Sequence, residues 1–290
     1  MRQRTLSSIV IVPIVIVAFA AGGIGIAALA LVLAATAGRE AERLLAGAGR
    51  PALSGGVVAG AVVLVAVAAL PLLARHAALG SPALIERFPD VAPGLVVVAL
   101  GVAALTRRDP EAGFAAWSST TFGALYVGLL AALAWLAAAA MPTWMSTDGA
   151  AGTLLSDGRA WPLLLVAAVW SYDTGAYVVG RAIGRHPFLP WISARKTVEG
   201  VVGGLVAATT ATAIVLAVMG RDPLEALALG PVLGVAAQAG DLAESLLKRA
   251  AGAKDSGTVI PGHGGILDRI DSFLFAGPIL VAYVVLVAAG

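Results

Sequence analysis

Acidic, hydroxyl and lysine side chains recur at helical spacing near the end of an apolar run over residues 231–239. Four of them are spaced i, i+3, i+4 and i+7 and would share one helical face. They are Asp241, Glu244, Ser245 and Lys248. Charged groups beside a membrane are costly unless they are paired or bind a cation. The spacing alone leaves two interpretations open: a metal or phosphate site, and a solvated helix end with an internal ion pair.

A second acidic pair, Asp268 and Asp271, stands directly before the last apolar run. On a helix these residues share a face, because they are three positions apart. Two carboxylates near Asp241 would make a divalent-cation site, since Mg²⁺ normally takes one or two carboxylates together with substrate phosphates. The plainer interpretation is a charged cap on a membrane span.

A glycine-rich turn lies between the two acidic clusters, preceded by Lys254 and Asp255. The turn contains Gly262, His263, Gly264 and Gly265. Its backbone N–H groups are suited to holding phosphate oxygens. Loops are commonly rich in glycine, however, and a single histidine is more typical of a loop or core position than of a catalyst.

Two further polar segments precede these clusters. Asp173 lies inside an apolar run, where an acid is a functional candidate by default, although a hydrogen-bonded structural role is the alternative. The stretch 193–200 is basic and hydroxylic, and Arg195 and Lys196 are suited to binding phosphate. An ordinary basic flank of a membrane span is the plainer interpretation of that stretch.

The composition shows what must position these residues. Of 290 residues, 59% are hydrophobic and only 12% are charged, against about 25% charged in soluble domains. Long apolar runs separate the charged clusters, as in a polytopic helical membrane protein. The chain has no cysteine and three histidines, which excludes thiolate chemistry and points any metal towards carboxylates and therefore towards Mg²⁺.

The apolar runs predict an all-α fold of about nine transmembrane spans. The predicted spans are 6–20, 22–37, 52–74, 91–106, 119–141, 161–180, 200–219, 224–237 and 272–289. Several are shorter than the roughly 20 residues that cross a bilayer, and the run at 224–237 is compatible with a re-entrant segment. Small-residue spacing at 200–204 and 230–234 predicts close helix packing.

The distribution of basic residues predicts a cytoplasmic N-terminus. With nine spans, fifteen of the nineteen Lys and Arg residues fall on the N-terminal side, and only Arg75, Arg87, Arg159 and Arg221 fall on the other. Short loops rich in Lys and Arg favour the cytoplasm. The polar stretches 181–199 and 238–271 would then face cytoplasmic nucleotides, whereas a count of eight spans would place the last of them on the opposite side.

A resemblance to a known family rests on these same residues. The signature runs from Ser245 through Lys248-Arg249 and Lys254-Asp255 to Pro261-Gly262-His263-Gly264-Gly265-Ile266-Leu267-Asp268-Arg269-Ile270-Asp271. It resembles that of the phosphatidate cytidylyltransferases, also called CDP-diacylglycerol synthases. The segments 173–177 and 193–200 and the pair Gly240-Asp241 are similar as well, whereas residues 1–160 resemble the family only in hydrophobic pattern. Val198 departs from it by replacing an aromatic residue.

The resemblance implies transfer of the cytidylyl group from CTP to phosphatidic acid, giving CDP-diacylglycerol and pyrophosphate. It also implies a homodimer and a cytoplasm-facing funnel that holds Mg²⁺, with a monovalent cation such as K⁺. The expected location is a bacterial inner membrane, and no nucleic-acid partner is expected. Residues 1–290 would form a single membrane domain, with scaffold spans over 1–160 and catalytic spans and loops over 161–290.

Roles for individual residues follow from the resemblance. The expected catalytic residues are Asp173, Asp241, Lys248 and Asp268. The expected metal ligands are Asp241, Asp268 and Asp271. The expected substrate-binding residues are Ser193, Arg195, Lys196, Thr197, Glu199, Ser245, Arg249, Lys254, Asp255, Gly262, His263, Gly264, Gly265 and Arg269.

Three other classes of protein compete with this assignment. An ion-coupled transporter also places acids in spans, but it predicts alternating access and usually inverted repeats, and the chain shows no clear repeat. A CDP-alcohol phosphotransferase would carry paired D-G and A-R motifs, which are absent. A structural membrane subunit would not require the polar cluster between Lys248 and Asp271.

Overall fold

The structure is a computed structural model that describes residues 12–77, 83–139, 152, 155–193, 195–259 and 264–288. These residues are largely helical and contain no β-strand, which confirms the all-α prediction. The chain divides into two compact units. The first comprises Met1–Ala139 and Leu247–Ile270, and the second comprises Ala140–Leu246 and Asp271–Gly290.

Beyond the helical residues 12–20, the described part of the first unit contains five helices that lie wholly within it. They are α1 (Gly22–Gly47), α2 (Gly56–His76), α3 (Ala83–Ala104), α4 (Pro110–Gly128) and α5 (Ala131–Ala138). Helix α4 begins as its sequence dictates: Asp109 is the N-cap, its carboxylate accepts the N–H of Ala112 over 3.0 Å, and Pro110 occupies the first turn. A buried apolar cluster that includes Leu64, Val96 and Ala124 joins α2, α3 and α4.

The second unit wholly contains helices α6 (Ala160–Ile183) and α7 (Val198–Val218). They pack closely through small residues: a side chain at Gly204 would lie 2.7 Å from the ring of Tyr172. This contact confirms the close packing predicted from the 200–204 spacing. Two more helices, α8 (Ala226–Ala250) and α9 (Leu267–Tyr283), contribute residues to both units, since the unit boundaries fall at 246/247 and 270/271.

Within the described residues, eight helical segments are long and apolar enough to cross a membrane. Nine spans were predicted, and the first of them, 6–20, lies partly outside the described residues. Residues 12–20 are helical, and a turn at Ala21 separates them from α1, where Gly22 has φ +70°. The total number of spans and the side of the N-terminus remain predictions.

Several helices extend beyond the predicted spans. The span predicted at 22–37 continues as helix α1 to Gly47, and the run at 224–237 is the first half of a continuous helix that ends at Ala250. Hydropathy falls at Arg39, Glu40 and Asp241, but arginine and glutamate favour helices nearly as well as leucine does. The helices therefore continue past the apolar runs, as the helical spacing of Asp241 to Lys248 predicted for the second of them.

Candidate functional site

A lysine–aspartate pair lies in the second unit. The ammonium group of Lys196 donates to Asp241 Oδ2 over 2.6 Å, and the two side chains are 20% and 34% exposed. Ser245, one helical turn beyond Asp241 on α8, lies with its hydroxyl 3.4 Å from Asp241 Oδ1. Three residues predicted to bind substrate or metal are therefore brought together within this unit.

The loop that precedes α7 holds Lys196 in place. Its two arms are joined by main-chain hydrogen bonds, from Phe188 N to Lys196 O over 2.8 Å and from Val198 N to His186 O over 2.9 Å. The oxygens of Glu199 accept the N–H groups of Arg185 and His186, and the carboxylate also contacts the ring of His186 at 2.5 Å. Glu199 thus stabilises the loop, and its predicted contact with substrate remains a prediction.

Thr197 has a similarly local function. It is the N-cap of α7, and its hydroxyl accepts the N–H of Gly200 over 3.2 Å. Capping of this kind satisfies a backbone donor at the start of a helix. Ser193 donates its own N–H to Leu189 O over 3.1 Å within the same loop. The cap gives the Thr197 hydroxyl a structural role, whereas the contact of Ser193 involves its main chain.

A second lysine–aspartate pair lies in the first unit. The ammonium group of Lys248 donates to Asp268 Oδ1 over 2.6 Å, and these side chains are only 14% and 9% exposed. Asp268 Oδ2 accepts three further hydrogen bonds, from Ser256 N over 2.9 Å, Ser256 Oγ over 2.8 Å and Gly265 N over 2.7 Å. The carboxylate is therefore fixed by one ammonium group and the surrounding loop.

Glu40 on α1 joins this cluster, although the sequence analysis did not single it out. It is 1% exposed. Its carboxylate accepts the N–H groups of Ile266 and Leu267 over 3.0 and 2.8 Å, and its Oε2 lies 3.1 Å from Ser256 Oγ. The available signal was that Glu40 follows an apolar run nearly as long as a membrane span. A buried acid in that position requires partners.

Most of the other predicted site residues are exposed or half-buried. Asp173 is exposed on α6, and Asp271 is half-buried near the start of α9. Exposed side chains also occur at Arg195, Arg249, Lys254, Asp255 and Arg269. Gly264 has φ +82°, a backbone conformation that favours glycine in a turn. Gly262 and His263 lie outside the described residues.

Within the described residues, no group of three or more acidic or histidine side chains is placed to hold a metal ion. Mg²⁺ does not require such a group, because it retains several water ligands and binds one or two carboxylates together with substrate phosphates. Asp241 fits that role, since its Oδ1 has in the described part only the long contact with Ser245. Asp268 fits it only if Lys248 moves away, because both of its oxygens are taken.

The chain matches a known family over nearly its whole length and individual relatives over less than half of it. The sequence model of the cytidylyltransferase family matches residues 2–287. A phosphatidate cytidylyltransferase of Staphylococcus haemolyticus is 44% identical over 127 residues, which are 43% of this chain and 49% of that protein. One from Bacillus subtilis is 48% identical over 114 residues, which are 39% of this chain and 42% of that protein.

The aligned part of this chain spans about half the length of the curated relatives it matches. These relatives share the reaction in their names, and the match to the family model extends well beyond the aligned segment. Since that match covers nearly every residue, the chain belongs to the cytidylyltransferase family.

Proposed function

We propose that this chain transfers the cytidylyl group of CTP to phosphatidic acid, forming CDP-diacylglycerol and pyrophosphate. Family membership and the names of the relatives support this activity. The structural observation that carries it is the pairing of a lysine with an aspartate at Lys196–Asp241 and again at Lys248–Asp268. Ammonium groups suit the phosphates of a nucleotide, and carboxylates suit the cation that accompanies it.

The reaction requires little proton transfer. A phosphate oxygen of phosphatidic acid attacks the α-phosphorus of CTP, a new P–O bond forms, and the bond to the β-phosphate breaks with its electron pair leaving on pyrophosphate. The nucleophile is already an anion, so it needs no strong base. The barrier comes from bringing two anions together and from charge on the leaving group, and fixed cationic groups with good positioning lower both.

The roles of the chain's own residues follow from this chemistry. The ammonium groups of Lys196 and Lys248 bind phosphate oxygens and offset their charge, assisted by the exposed Lys254 and Arg269. The turn 262–265 is proposed to contact nucleotide phosphate, and the N–H of Gly265 is available for this only when it releases Asp268 Oδ2. Asp173 and Asp271 support the site without a contact to the reacting atoms.

Mg²⁺ is proposed as the divalent cation, and its candidate ligands are Asp268 in the first unit and Asp241 and Asp271 in the second. When bound, it neutralises phosphate charge as a Lewis acid. A monovalent cation such as K⁺ is proposed as a second ion. Asp241 and Asp268 hold lysine ammonium groups in this structure, and a bound cation would take over part of that charge neutralisation.

The proposed setting is a bacterial inner membrane, with the site on the cytoplasmic face and the chain acting as a homodimer. The bacterial sources of the relatives and the eight apolar helices in the described residues support a multi-pass membrane location. Phosphatidic acid would reach the site from the bilayer, and CTP from the aqueous phase.

The test is direct synthesis by the purified protein. Detergent-solubilised protein is given labelled CTP, phosphatidic acid and Mg²⁺, and CDP-diacylglycerol and pyrophosphate are measured. We expect equal amounts of both products and no turnover after chelation of divalent cations. Protein with Lys196 and Lys248 both replaced by alanine serves as the control for contaminating activity. Uptake of solute into proteoliposomes without any lipid product would replace the proposal with a transporter.

A further inference from the structure

Helix α1 carries a carboxylate that is buried in the first unit and contacts residues distant from it in the sequence. Glu40 is 1% exposed, and its hydrogen-bond partners are 216 to 227 residues away along the chain. A buried carboxylate is costly unless hydrogen bonds satisfy it. Three donors surround this one, so the cost is offset by contacts that all lie within a single short segment, residues 256–267.

Two of those donors are the main-chain N–H groups of Ile266 and Leu267. They stand at the start of α9, where the first N–H groups of a helix lack partners within the helix. A negative charge is also favourable there because of the helix dipole. Glu40 therefore caps α9 from another helix and fixes where that helix begins.

The third donor links Glu40 to the lysine–aspartate pair. Ser256 Oγ lies 3.1 Å from Glu40 Oε2 and 2.8 Å from Asp268 Oδ2, so its single proton can be donated to either carboxylate, one at a time. The next residue after Leu267 is Asp268 itself. Glu40 thus determines the position of Asp268 from two directions, through the backbone of α9 and through Ser256.

Two glycines of the surrounding loop approach the Glu40 carboxylate closely. A side chain at Gly265 would collide with both Ser256 Oγ and Glu40 Oε2, and a side chain at Gly257 would collide with Glu40 Oε1. Both glycines therefore allow the loop to close around the carboxylate. Their place in the polar segment is explained by the approach of Glu40 as well as by any phosphate contact.

We infer that Glu40 is a positioning residue for the proposed transfer: it holds Asp268, and with it Lys248, in the geometry that receives the nucleotide and its cation. The expected kinetic effect rests on the proposed function, whereas the structural claim that Glu40 holds Asp268 in place does not. Glu40 belongs to the N-terminal region that was predicted to be scaffold only.

The variant that tests it is Glu40→Gln. Glutamine has nearly the same size, but its amide can accept from only one of Ile266 N and Leu267 N and must present a donor to the other. The matched control is Glu42→Gln. Glu42 lies on the same helix and accepts the N–H of Val57, at the start of α2, over 3.1 Å, so both variants remove one charge that caps a neighbouring helix.

The first measurement does not depend on activity. Hydrogen exchange at the amides of Ile266 and Leu267 should be about tenfold faster or more in Glu40→Gln than in wild type. Trypsin should also cleave faster after the nearby Lys254. The Glu42→Gln control should leave both readouts at wild-type values, and equal values for the two variants would overturn the inference.

The second measurement is the Mg²⁺ concentration that gives half-maximal turnover. It should rise about tenfold or more in Glu40→Gln, as for residues that orient a metal ligand, and should not change in Glu42→Gln. Ser256→Ala removes the hydroxyl between the two carboxylates but keeps both negative charges. It should also raise the Mg²⁺ concentration that gives half-maximal turnover. In the double variant Glu40→Gln/Ser256→Ala, the required Mg²⁺ concentration should rise by less than the product of the two separate fold-increases.

The outcomes distinguish the positioning role of Glu40 from the proposed cytidylyl transfer. If Glu40→Gln does not fold, Glu40→Asp replaces it: the charge is kept but the carboxylate is withdrawn by one methylene group, so faster exchange at Ile266 and Leu267 supports the inference and unchanged exchange opposes it. If the wild type makes no CDP-diacylglycerol, the proposed function fails while the exchange experiment still decides whether Glu40 holds the loop. An unchanged Mg²⁺ requirement with faster exchange would reduce Glu40 to a residue that only stabilises the fold.

Discussion

The ammonium group of Lys248 lies 2.6 Å from Asp268 Oδ1, and both side chains are almost fully enclosed by the first unit. A buried ion pair of this kind is not by itself a gain in stability, because desolvation of two charges offsets much of their attraction. The pair instead supplies a cationic group and an anionic group whose positions are set by the loop around them.

Replacement of Asp268 by asparagine should abolish most of the turnover. The amide removes the negative charge and directs its N–H₂ group at either Lys248 or the donors of the loop. We expect kcat to fall by about 100-fold or more, in line with loss of several kcal/mol of charge stabilisation. CDP-diacylglycerol formation at saturating Mg²⁺ measures it.

The control for Asp268→Asn is Asp109→Asn, which changes an exposed capping aspartate of α4 by the same chemistry. Size-exclusion profiles in detergent should show all three proteins folded. Turnover of Asp268→Asn at the wild-type rate would remove this residue from the proposed metal site.

Loss of the Lys196 ammonium group should weaken the use of CTP. Lys196→Ala removes a cation and leaves Asp241 without its partner at 2.6 Å. Charged hydrogen bonds to phosphate in a partly buried site support a decrease in kcat/KM for CTP of about 10- to 100-fold. Initial rates over a range of CTP concentrations give the value.

Arg185→Ala is the matched control for Lys196→Ala, because it removes one positive charge from an exposed side chain in the same loop. It should change kcat/KM by less than about twofold, as expected for an exposed charge. A similar decrease in both variants would mean that the general charge of the loop, and not the Lys196–Asp241 pair, is what matters for CTP.

Tyr172→Phe tests the buried polar contact between α6 and α8. The Tyr172 hydroxyl donates to Gln238 Oε1 over 2.8 Å, and Gln238 Nε2 has no hydrogen-bond partner in the described residues. Without the hydroxyl, neither polar atom of the Gln238 side chain is satisfied. The free energy of unfolding should decrease by about 1–2 kcal/mol, seen as a lower Tm in detergent.

Tyr177→Phe removes the corresponding hydroxyl from an exposed position on α6, where it bonds to Arg181 over 2.7 Å. Its effect on Tm should be close to zero. If the two tyrosine variants melted at the same temperature, the buried contact would not be a source of stability.

Gly240→Ala should damage the protein although alanine favours helices over glycine by about 1 kcal/mol. A methyl group at position 240 would collide with the carbonyl oxygen of Asp271 and lie 3.1 Å from Ser272 Cα. We expect a loss of about 1–3 kcal/mol in stability from overpacking, together with lower turnover because Asp241 is adjacent.

Gly94→Ala provides the comparison on α3, where nothing lies within 4 Å of an added methyl group. That variant should be as stable as wild type or more so. A Gly240→Ala protein with unchanged Tm and turnover would show that α8 and α9 can separate there without cost.

The sequence was informative where composition and spacing decide the structure. Charge scarcity and apolar runs predicted the helical membrane fold, and the spacing of Asp241 and Ser245 correctly placed them one turn apart on a helix. The family resemblance, confirmed by the match over 2–287, came from the 245–271 segment. Local pattern was sufficient for these conclusions because each concerns residues close together in the chain.

The partners of each group were not predictable in the same way. Nothing in the spacing indicated that Lys196 would lie against Asp241, or that Glu40 would reach Ser256, because both contacts depend on how distant helices pack. Thr197 and Glu199 were predicted to bind substrate, and the structure shows that their oxygens also serve a helix cap and a loop. A polar side chain in a short motif can support the backbone as readily as it binds a ligand.

The long sequence separation between Glu40 and Ser256 has a consequence for biosynthesis. Glu40 leaves the ribosome 216 residues before Ser256, which corresponds to about 10–40 s of synthesis at ordinary rates. Throughout that interval the carboxylate has none of these partners and is best kept in water, about two turns before the end of α1. Enclosure of Glu40 must therefore be a late event, completed only after residues 256–267 have been synthesised.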